Sequence, residues 1–251
     1  MVDPMHFDAR AEIYERARPP YPEALWRRLC AVGLLAPGVR IVEFGAGSGQ
    51  ATAPLVEAGA EVTAVEPGPA LAARLRARLP SVRVLVETAE AVALSDAAFD
   101  AAVVATAVHW LDLDVVLPKL HRALVPGGRF AVWRTVFGDP TARTAFRDQV
   151  ERIVARREDP PRRSGPGELD TAAWARRLSV GDLFTEEFTE LYRWSVDFSS
   201  DQVRDLFLTF SEWSAAEADA AAKAVDELGG QVTEHYLSWL ILMKRADSSP
   251  A

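Results

Sequence analysis

The sequence predicts an α/β fold in which one mainly parallel sheet carries helices on both faces. In the first half of the chain, short apolar runs alternate with segments of helical spacing, a pattern typical of parallel strands joined by right-handed crossovers. In the second half, two further strand-like runs occur and no helix follows the last one, which favours an antiparallel edge. The seven predicted strands cover residues 39–44, 61–66, 82–87, 99–106, 129–136, 186–198 and 231–245.

Helices are expected between and after these strands. The second of them begins with Pro69, a residue favoured at the first helical position, and the third is expected to be interrupted near Pro118. The residues Pro-Gly-Gly at 126–128 predict a turn before the fifth strand. The predicted helices cover 48–59, 69–79, 113–124, 141–158 and the regions near 200–210 and 214–228.

The chain is expected to form one domain built from four consecutive parts. They are an N-terminal helical cap (1–38), a cofactor-binding core (39–136), a helical cover (137–185) and C-terminal antiparallel strands with helices (186–245). Within the helical cover, the loop at 159–168 is rich in proline and glycine, and it is either a moving lid or an ordinary exposed loop.

The amino-acid composition excludes several classes to which the protein could belong. The chain has 251 residues, 49% of them hydrophobic, and a net charge of −8, which argues against a nucleic-acid partner because phosphate binding needs a basic face. Its one cysteine, Cys30, excludes an internal disulfide and is expected to be a core residue. No apolar run reaches the roughly 20 residues of a membrane helix, and no signal peptide is visible. We therefore expect a soluble, cytoplasmic protein.

The first strand runs into a glycine-rich turn, "VEFGAGSGQ", with Gly45, Gly47 and Gly49 at alternate positions. Glycines let the backbone approach a ligand closely, and a following helix offers free N–H groups. The dinucleotide fingerprint is G-x-G-x-x-G, but here position 50 is Gln50. The spacing favours a loop around a nucleoside without phosphates.

A carboxylate ends the second strand and supports this interpretation. Glu66 lies 21 positions after Gly45, where it can accept hydrogen bonds from both ribose hydroxyls. Hydrogen bonds to a charged acceptor contribute roughly 1.5–3 kcal/mol each. Dinucleotide-binding folds keep an acidic residue at the same place, so Glu66 alone does not choose the cofactor.

Several motifs in order resemble the class I S-adenosylmethionine (SAM)-dependent methyltransferases, whose sheet is Rossmann-like. "VEFGAGSGQ" resembles their first motif, "AVEPG" the second, and "ETAEAVALSDAAFDAAVVATAVHWLD" (87–112) their third strand, adenine loop and fourth strand. "LHRALVPGGRFAVW" (120–133) resembles the segment that enters the fifth strand. The N-terminal "FDARAEIYERARPPYP" is similar to the cap of the small-molecule subgroup that includes trans-aconitate methyltransferase. The resemblance extends from Phe7 to about Val136.

The resemblance implies SAM as the cofactor, S-adenosylhomocysteine (SAH) as the product, and a role for each matching position. The glycine loop would contact the methionine and ribose parts, Glu66 the ribose hydroxyls, and Thr106 the methionyl part. Many relatives have Asp at the position of Thr88, where a hydroxyl binds the adenine amino group less strongly. The implied cofactor residues are Tyr14, Arg18, Gly45, Ala46, Gly47, Gly49, Glu66, Thr88, Ala89, Glu90 and Thr106.

The candidate catalytic residue is His109 in "ATAVHWLD". It follows the fourth strand, and open α/β sheets bind ligands at the carboxyl ends of their strands. Its pKa range suits proton transfer, although a histidine that positions the cofactor beside Trp110 is the preferred interpretation. His6, His121 and His235 are weaker candidates. No group of residues has metal-ligand spacing, so no metal is predicted.

The predicted function is methyl transfer from SAM to a small molecule, with O-methylation of a carboxylate or a hydroxyl favoured. One alternative is a non-catalytic SAM-binding protein, or an enzyme that uses SAM without transferring a methyl group. An NAD-dependent oxidoreductase is a second alternative, and Gln50 in place of the third fingerprint glycine argues against it.

Overall fold

The computed structural model describes residues 11–157 and 166–247. His6 and most of the predicted loop at 159–168 therefore lie outside the described residues. The helices are α1 (Ala11–Ala17), α2 (Glu23–Ala31), α3 (Thr52–Glu57), α4 (Pro69–Arg78), α5 (Leu113–Ala123), α6 (Ala145–Val154), α7 (Thr171–Leu178), α8 (Ser200–Leu208) and α9 (Ala215–Glu227). The strands are β1 (Arg40–Phe44), β2 (Glu61–Val65), β3 (Arg83–Leu85), β4 (Phe99–Ala105), β5 (Leu124–Phe137), β6 (Phe184–Ser199) and β7 (Gln231–Arg245).

The predicted seven-stranded α/β sheet is confirmed. The strand order is β3-β2-β1-β4-β5-β7-β6, and strands β1 to β5 pair in parallel. The last strand is antiparallel, as expected, but it lies inside the sheet and leaves β6 at the edge. This order brings the carboxyl ends of β2, β1 and β4 side by side.

Pro118 does not interrupt α5, so that detail of the prediction is wrong. The helix runs unbroken from Leu113 to Ala123, with Asp112 capping its first turn through a hydrogen bond from the backbone N–H of Asp114. Proline removes one backbone hydrogen bond. The apolar face of α5 keeps the helix continuous because its burial outweighs that loss; the buried residues are Leu113, Val116, Leu117, Leu120 and Ala123.

The predicted turn at 126–128 lies within β5 instead of ahead of it. Phe99 of β4 pairs with Leu124, whereas Ala101 pairs with Arg129, so the intervening residues of β5 form an irregularity in the ladder. Gly127 there has φ +73°, a conformation that glycine adopts without strain.

Helix α6 begins later than predicted, at Ala145 instead of residue 141. Asp139 holds a turn ahead of it, because its carboxylate accepts hydrogen bonds from the N–H and the hydroxyl of Thr141. Thr144 then caps the helix by accepting a hydrogen bond from the backbone N–H of Arg147. These local side-chain bonds compete with helical structure over 139–144.

By its internal contacts the described chain divides into two units, each with its own core. The larger unit comprises the described parts of Tyr21–Thr135, Pro166–Tyr192 and Ser238–Ala251, and the smaller unit those of Met1–Pro20, Val136–Gly165 and Arg193–Leu237. The core of the larger unit is aliphatic around Trp133, whereas the core of the smaller unit is rich in aromatic residues, among them Phe146, Phe207 and Tyr236.

Cys30 is exposed, which corrects its expected place in the core. Helix α2 buries Leu25 and Leu29, which are four positions apart and share one face. The next residue points about 100° away from that face because a helix has about 3.6 residues per turn. The free thiol therefore contributes little to packing.

Candidate functional site

The glycine-rich loop leaves β1 in a backbone conformation that requires glycine. Gly45, Gly47 and Gly49 have φ values of +67°, +59° and +91°. A Cβ atom at Gly45 would lie 2.5 Å from the Cβ of Ala107, the second residue after β4. The loop is therefore packed directly against the segment that follows β4. The helix behind it, α3, starts at Thr52 and not at residue 48 as predicted.

Glu66 is bound to the glycine loop. Its Oε2 accepts a hydrogen bond of 2.8 Å from the backbone N–H of Gly47, and its Oε1 accepts one of 2.8 Å from Gly68. The residue is only 6% exposed. Each carboxylate oxygen has two lone-pair sites and can accept more than one hydrogen bond. The structure thus brings Glu66 and the predicted glycines into one site.

A second carboxyl group lies beneath the loop. Glu43 of β1 is fully buried, and its Oε2 accepts a 2.6 Å hydrogen bond from the hydroxyl of Thr52, whereas its Oε1 has no hydrogen-bond partner. Burial is the largest cause that raises the pKa of Glu43; the hydrogen bond from Thr52 opposes it and the negative charge of Glu66 adds to it, and together they bring the pKa to about 8. Glu43 is therefore mostly protonated at neutral pH.

The buried carboxyl group predicts a pH-dependent stability. Because the pKa of Glu43 is raised on folding, its contribution is fully present below the unfolded-state value and is lost as the pH rises toward about 8. We expect the melting temperature (Tm) of the wild type, relative to that of Glu43→Gln, to fall by about 8–12 °C between pH 5 and pH 8.5, because linkage over about three pH units amounts to roughly 4 kcal/mol. Scanning calorimetry of both proteins measures this difference, since other titrating groups are common to both. Parallel Tm curves would contradict the buried protonated carboxyl.

The predicted adenine segment, 88–90, is tied to α5 by its own polar groups. The hydroxyl of Thr88 accepts a hydrogen bond from the N–H of Ala91, and Oε1 of Glu90 accepts one of 2.9 Å from the N–H of Asp112. Lys119 Nζ donates to the carbonyl oxygens of Ala89 (2.8 Å) and Glu90 (2.5 Å). Lys119 was not predicted from the sequence, because nothing along the chain relates a helical lysine to a loop about 30 positions earlier.

Thr106 has a backbone conformation unusual for a β-branched residue. Its φ is +58°, and its N–H donates a 2.7 Å hydrogen bond to the carbonyl oxygen of Trp133. Such conformations are costly and concentrate at functional sites. Its hydroxyl lies 3.1 Å from the hydroxyl of Tyr21, whose ring packs edge-on against Trp26 and Trp133. Tyr21 thus contacts a predicted cofactor residue, and it was not among the residues predicted from the sequence.

His109 lies in a short 3-10 helix, Val108–Trp110, directly after the end of β4. Its ring is half-buried, with its centroid 4.7 Å from that of Trp110 at an interplanar angle of 43°. Ala107, which contacts the glycine loop, is two residues away. His109 therefore belongs, with the glycine loop and Ala107, to the group of loops at the carboxyl ends of β1 and β4. We call this group the loop cluster.

Two predicted cofactor residues, Tyr14 and Arg18, belong to the smaller unit. Nη2 of Arg18 donates a 3.1 Å hydrogen bond to the carbonyl oxygen of Thr209, and its guanidinium lies over the rings of Tyr14 and Phe210 at 5.1 Å and 4.6 Å. All of these contacts are internal to that unit. The role of Tyr14 and Arg18 toward the cofactor stays a prediction.

The described part of the chain holds neither a candidate metal site nor a membrane-spanning helix. Residues 11–157 and 166–247 contain no group of three or more His, Cys, Asp or Glu residues placed to hold a metal ion. Within the same ranges, no helix combines the length and the apolar character needed to cross a membrane.

Comparison with known proteins assigns the family. A methyltransferase-domain family matches residues 42–132, which include the glycine loop, Glu66 and the loop after β4. An uncharacterised methyltransferase of Mycobacterium tuberculosis is 31% identical over 234 residues, covering 92% of this chain and 87% of the relative. The chain belongs to the methyltransferase family. The predicted enzyme class, a SAM-dependent methyltransferase, and the predicted cofactor are thereby confirmed.

Solved structures agree with this assignment. A candidate type II methyltransferase from Anaeromyxobacter dehalogenans has 28% sequence identity and a TM-score of 0.64, covering 93% of this chain and 99% of that one. Geranyl diphosphate C-methyltransferase from Streptomyces coelicolor A3(2), in complex with Mg²⁺, geranyl diphosphate and SAH, is 17% identical with a TM-score of 0.51 over 89% of this chain and 79% of that one. The second likeness concerns the fold alone.

Proposed function

We propose that this methyltransferase transfers a methyl group from SAM to a small-molecule acceptor. The main support is the arrangement of Glu66, whose carboxylate joins the glycine loop to the turn after β2 through Gly47 and Gly68. A carboxylate held in this way suits the two hydroxyls of a ribose. The glycines at alternate positions, which differ from the dinucleotide fingerprint G-x-G-x-x-G, suit a nucleoside without phosphates.

The residues present fit the cofactor. Gly45, Ala46, Gly47 and Gly49 would hold its methionine and ribose parts through the backbone, while the 88–90 segment would lie beside the adenine. The fully buried Oε1 of Glu43 has no hydrogen-bond partner and, because Oε2 accepts from Thr52, carries the proton of the neutral carboxyl, so it leaves an unsatisfied donor beneath this loop. When bound, SAM supplies a methyl group on a positively charged sulfur. The protein's task is then to orient the acceptor and exclude water, and positioning of this kind can contribute roughly 7–11 kcal/mol.

For the acceptor, the resemblance to trans-aconitate methyltransferase suggests a carboxylate, and a hydroxyl is equally compatible with O-methylation. This choice rests on analogy between folds, so it stays a proposal. The cytoplasmic location and the lack of nucleic-acid and membrane partners stay predictions from the sequence.

We expect His109 to position the cofactor and not to act as a general base. The change His109→Ala should leave SAM affinity within about ten-fold of the wild type, as expected for the loss of one contact. SAH formation should then fall by less than about a hundred-fold. His121→Ala is a matched control, since His121 contacts the carbonyl oxygen of Ala246 instead of the loop cluster. Unchanged SAM affinity with a several-hundred-fold slower turnover would instead favour the base.

The proposed function is tested by measuring SAH release over a panel of small carboxylates and phenols. SAH release that depends on one acceptor class supports methyl transfer and identifies that class. Tight SAM binding without SAH release over the whole panel would support the non-catalytic alternative. A shift in thermal melting with NAD but not with SAM would support an oxidoreductase and contradict the proposal.

A further inference from the structure

The 88–90 segment, which is proposed to lie beside the adenine, follows β3 at the carboxyl edge of the sheet. Strand β3 pairs in parallel with β2, and the backbone N–H of Glu66 donates a 3.0 Å hydrogen bond to the carbonyl oxygen of Leu85, the last residue of β3. The chain therefore leaves β3 beside the residue whose carboxylate is proposed to bind the ribose. The segment begins three positions later, at Thr88, so its conformation helps to shape the cofactor site.

Helix α5 holds the 88–90 segment at two points. The backbone N–H of Asp112, the N-cap of the helix, donates a 2.9 Å hydrogen bond to Oε1 of Glu90. Nζ of Lys119 donates to the carbonyl oxygens of Ala89, at 2.8 Å, and Glu90, at 2.5 Å. The two attachment points are seven positions apart, which is about two helical turns and about 10 Å. Because the apolar face of α5 is buried, the helix gives both points a fixed support.

The hydrogen bonds of Lys119 come from a partly buried ammonium group. Burial lowers the pKa of Lys119, whereas the carboxylate of Glu90 raises it and the positive charge of Arg122 lowers it. Hydrogen bonds from an ionised donor are stronger than those between neutral groups. Two such bonds to successive carbonyl groups therefore fix the orientation of two successive peptide units.

The orientation of these peptide units decides which backbone groups the segment offers on its other side. A trans peptide is planar, and its C=O and N–H groups point in opposite directions. Lys119 draws the carbonyl groups of Ala89 and Glu90 toward α5. The N–H groups of the same two peptide units, which belong to Glu90 and Ala91, therefore point away from Lys119. The N–H of Ala91 donates to the hydroxyl of Thr88, whereas that of Glu90 is directed away from the helix.

We propose that Lys119 is a positioning residue that sets the affinity and the base selectivity of the cofactor site through the 88–90 segment. This inference rests on the proposed place of the adenine beside that segment. Lys119 acts through the backbone of the segment, which it holds so that an N–H donor faces away from α5. Atom N1 of adenine accepts a hydrogen bond, whereas N1 of hypoxanthine carries a proton and is a donor. A segment held in this way therefore favours adenine over hypoxanthine.

Binding of two ligands that differ only in the base tests the proposal. Calorimetry would compare SAH with S-inosylhomocysteine, in which hypoxanthine replaces adenine. We expect the wild type to bind SAH about ten-fold tighter or more. Lys119→Met keeps the length of the side chain and removes the ammonium, so it should weaken SAH binding about ten-fold and reduce the preference for SAH about three-fold or more. An unchanged preference in Lys119→Met, or no preference in the wild type, would overturn the proposal.

Further variants separate positioning from a general loss of stability. Lys119→Arg supplies several donors in a planar fork that can reach both carbonyl oxygens, and it should restore most of the preference. If Lys119→Met does not fold, Lys119→Gln replaces it with the same expectation, because a neutral amide lacks the charge. Lys223→Met is a matched control, since Lys223 is exposed on α9 and pairs with Glu227; it should bind both ligands as the wild type does. A Lys119→Arg variant no more selective than Lys119→Met would contradict the positioning role.

The outcome is separable from that of the proposed function, because these titrations contain no methyl acceptor and require no turnover. If the wild type prefers SAH and Lys119→Met loses that preference, the role of Lys119 stands whether or not any acceptor is methylated. If an acceptor is methylated but Lys119→Met keeps the full preference, methyl transfer stands and the role of Lys119 is overturned.

Discussion

Replacing Glu66 with alanine is expected to weaken SAM binding by about ten- to hundred-fold, as measured by calorimetric titration. The change removes the acceptors proposed for the ribose hydroxyls. It also frees the backbone N–H groups of Gly47 and Gly68, each of which donates a 2.8 Å hydrogen bond to this carboxylate. Both losses act on the same loop and in the same direction.

Glu61→Ala is a matched control for this prediction. Glu61 is the first residue of the same strand, β2, and is exposed at the end away from the glycine loop. Its removal should leave SAM affinity unchanged. Equal affinity of the Glu66 variant and the wild type would remove Glu66 from the cofactor site.

Gly45→Ala is expected to lower both the stability and the SAM affinity. The residue has φ +67°, and the added Cβ would lie 2.5 Å from the Cβ of Ala107 in the segment after β4. Because both Cβ atoms are attached directly to the backbone, rotation of a side chain cannot separate them. Left-handed strain and overpacking together cost about 2–4 kcal/mol, which corresponds to a fall in Tm of about 6–12 °C. Thermal melting and SAM titration measure the two effects.

Two other glycines separate the causes. Gly33 has φ +75° and Gly47 has φ +59°, and an added Cβ at either would meet no atom within 4 Å. Gly33→Ala should therefore show the backbone strain alone, with SAM affinity unchanged. Gly47→Ala should show a similar loss of stability together with weaker SAM binding, because the loop backbone at Gly47 is proposed to contact the cofactor. A Gly45 variant no less stable than the Gly33 variant would contradict the packing of the loop against Ala107.

The alternation of strands and helices was predictable because it depends on local properties of the sequence: the spacing of apolar residues and the residues that bound each segment. The runs that became β1, β2, β4 and β7 are bounded by glycines, prolines or charged residues within a few positions. The exceptions have non-local causes. Pro118 stays within a helix because the apolar face of α5 is buried, and the residues at 126–128 remain in β5 because β4 pairs on both sides of them.

The residues of the candidate site also fall into those that local motifs predict and those that depend on distant parts of the chain. Gly45, Gly47 and Glu66 were predictable because short sequence motifs indicate both the glycine-rich turn after the first strand and the end of the second strand. Lys119 and Tyr21 were not, because their partners lie 30 and 85 positions away in the sequence.

The central claim is that the glycine loop and Glu66 form a SAM site, and one calorimetric experiment tests it most directly. The purified protein would be titrated with SAH, with SAM and, as a control, with NAD. We expect saturable one-site binding of SAH and SAM, no binding of NAD, and a ten- to hundred-fold loss of SAM affinity in Glu66→Ala. Binding of NAD without binding of SAM or SAH would contradict it.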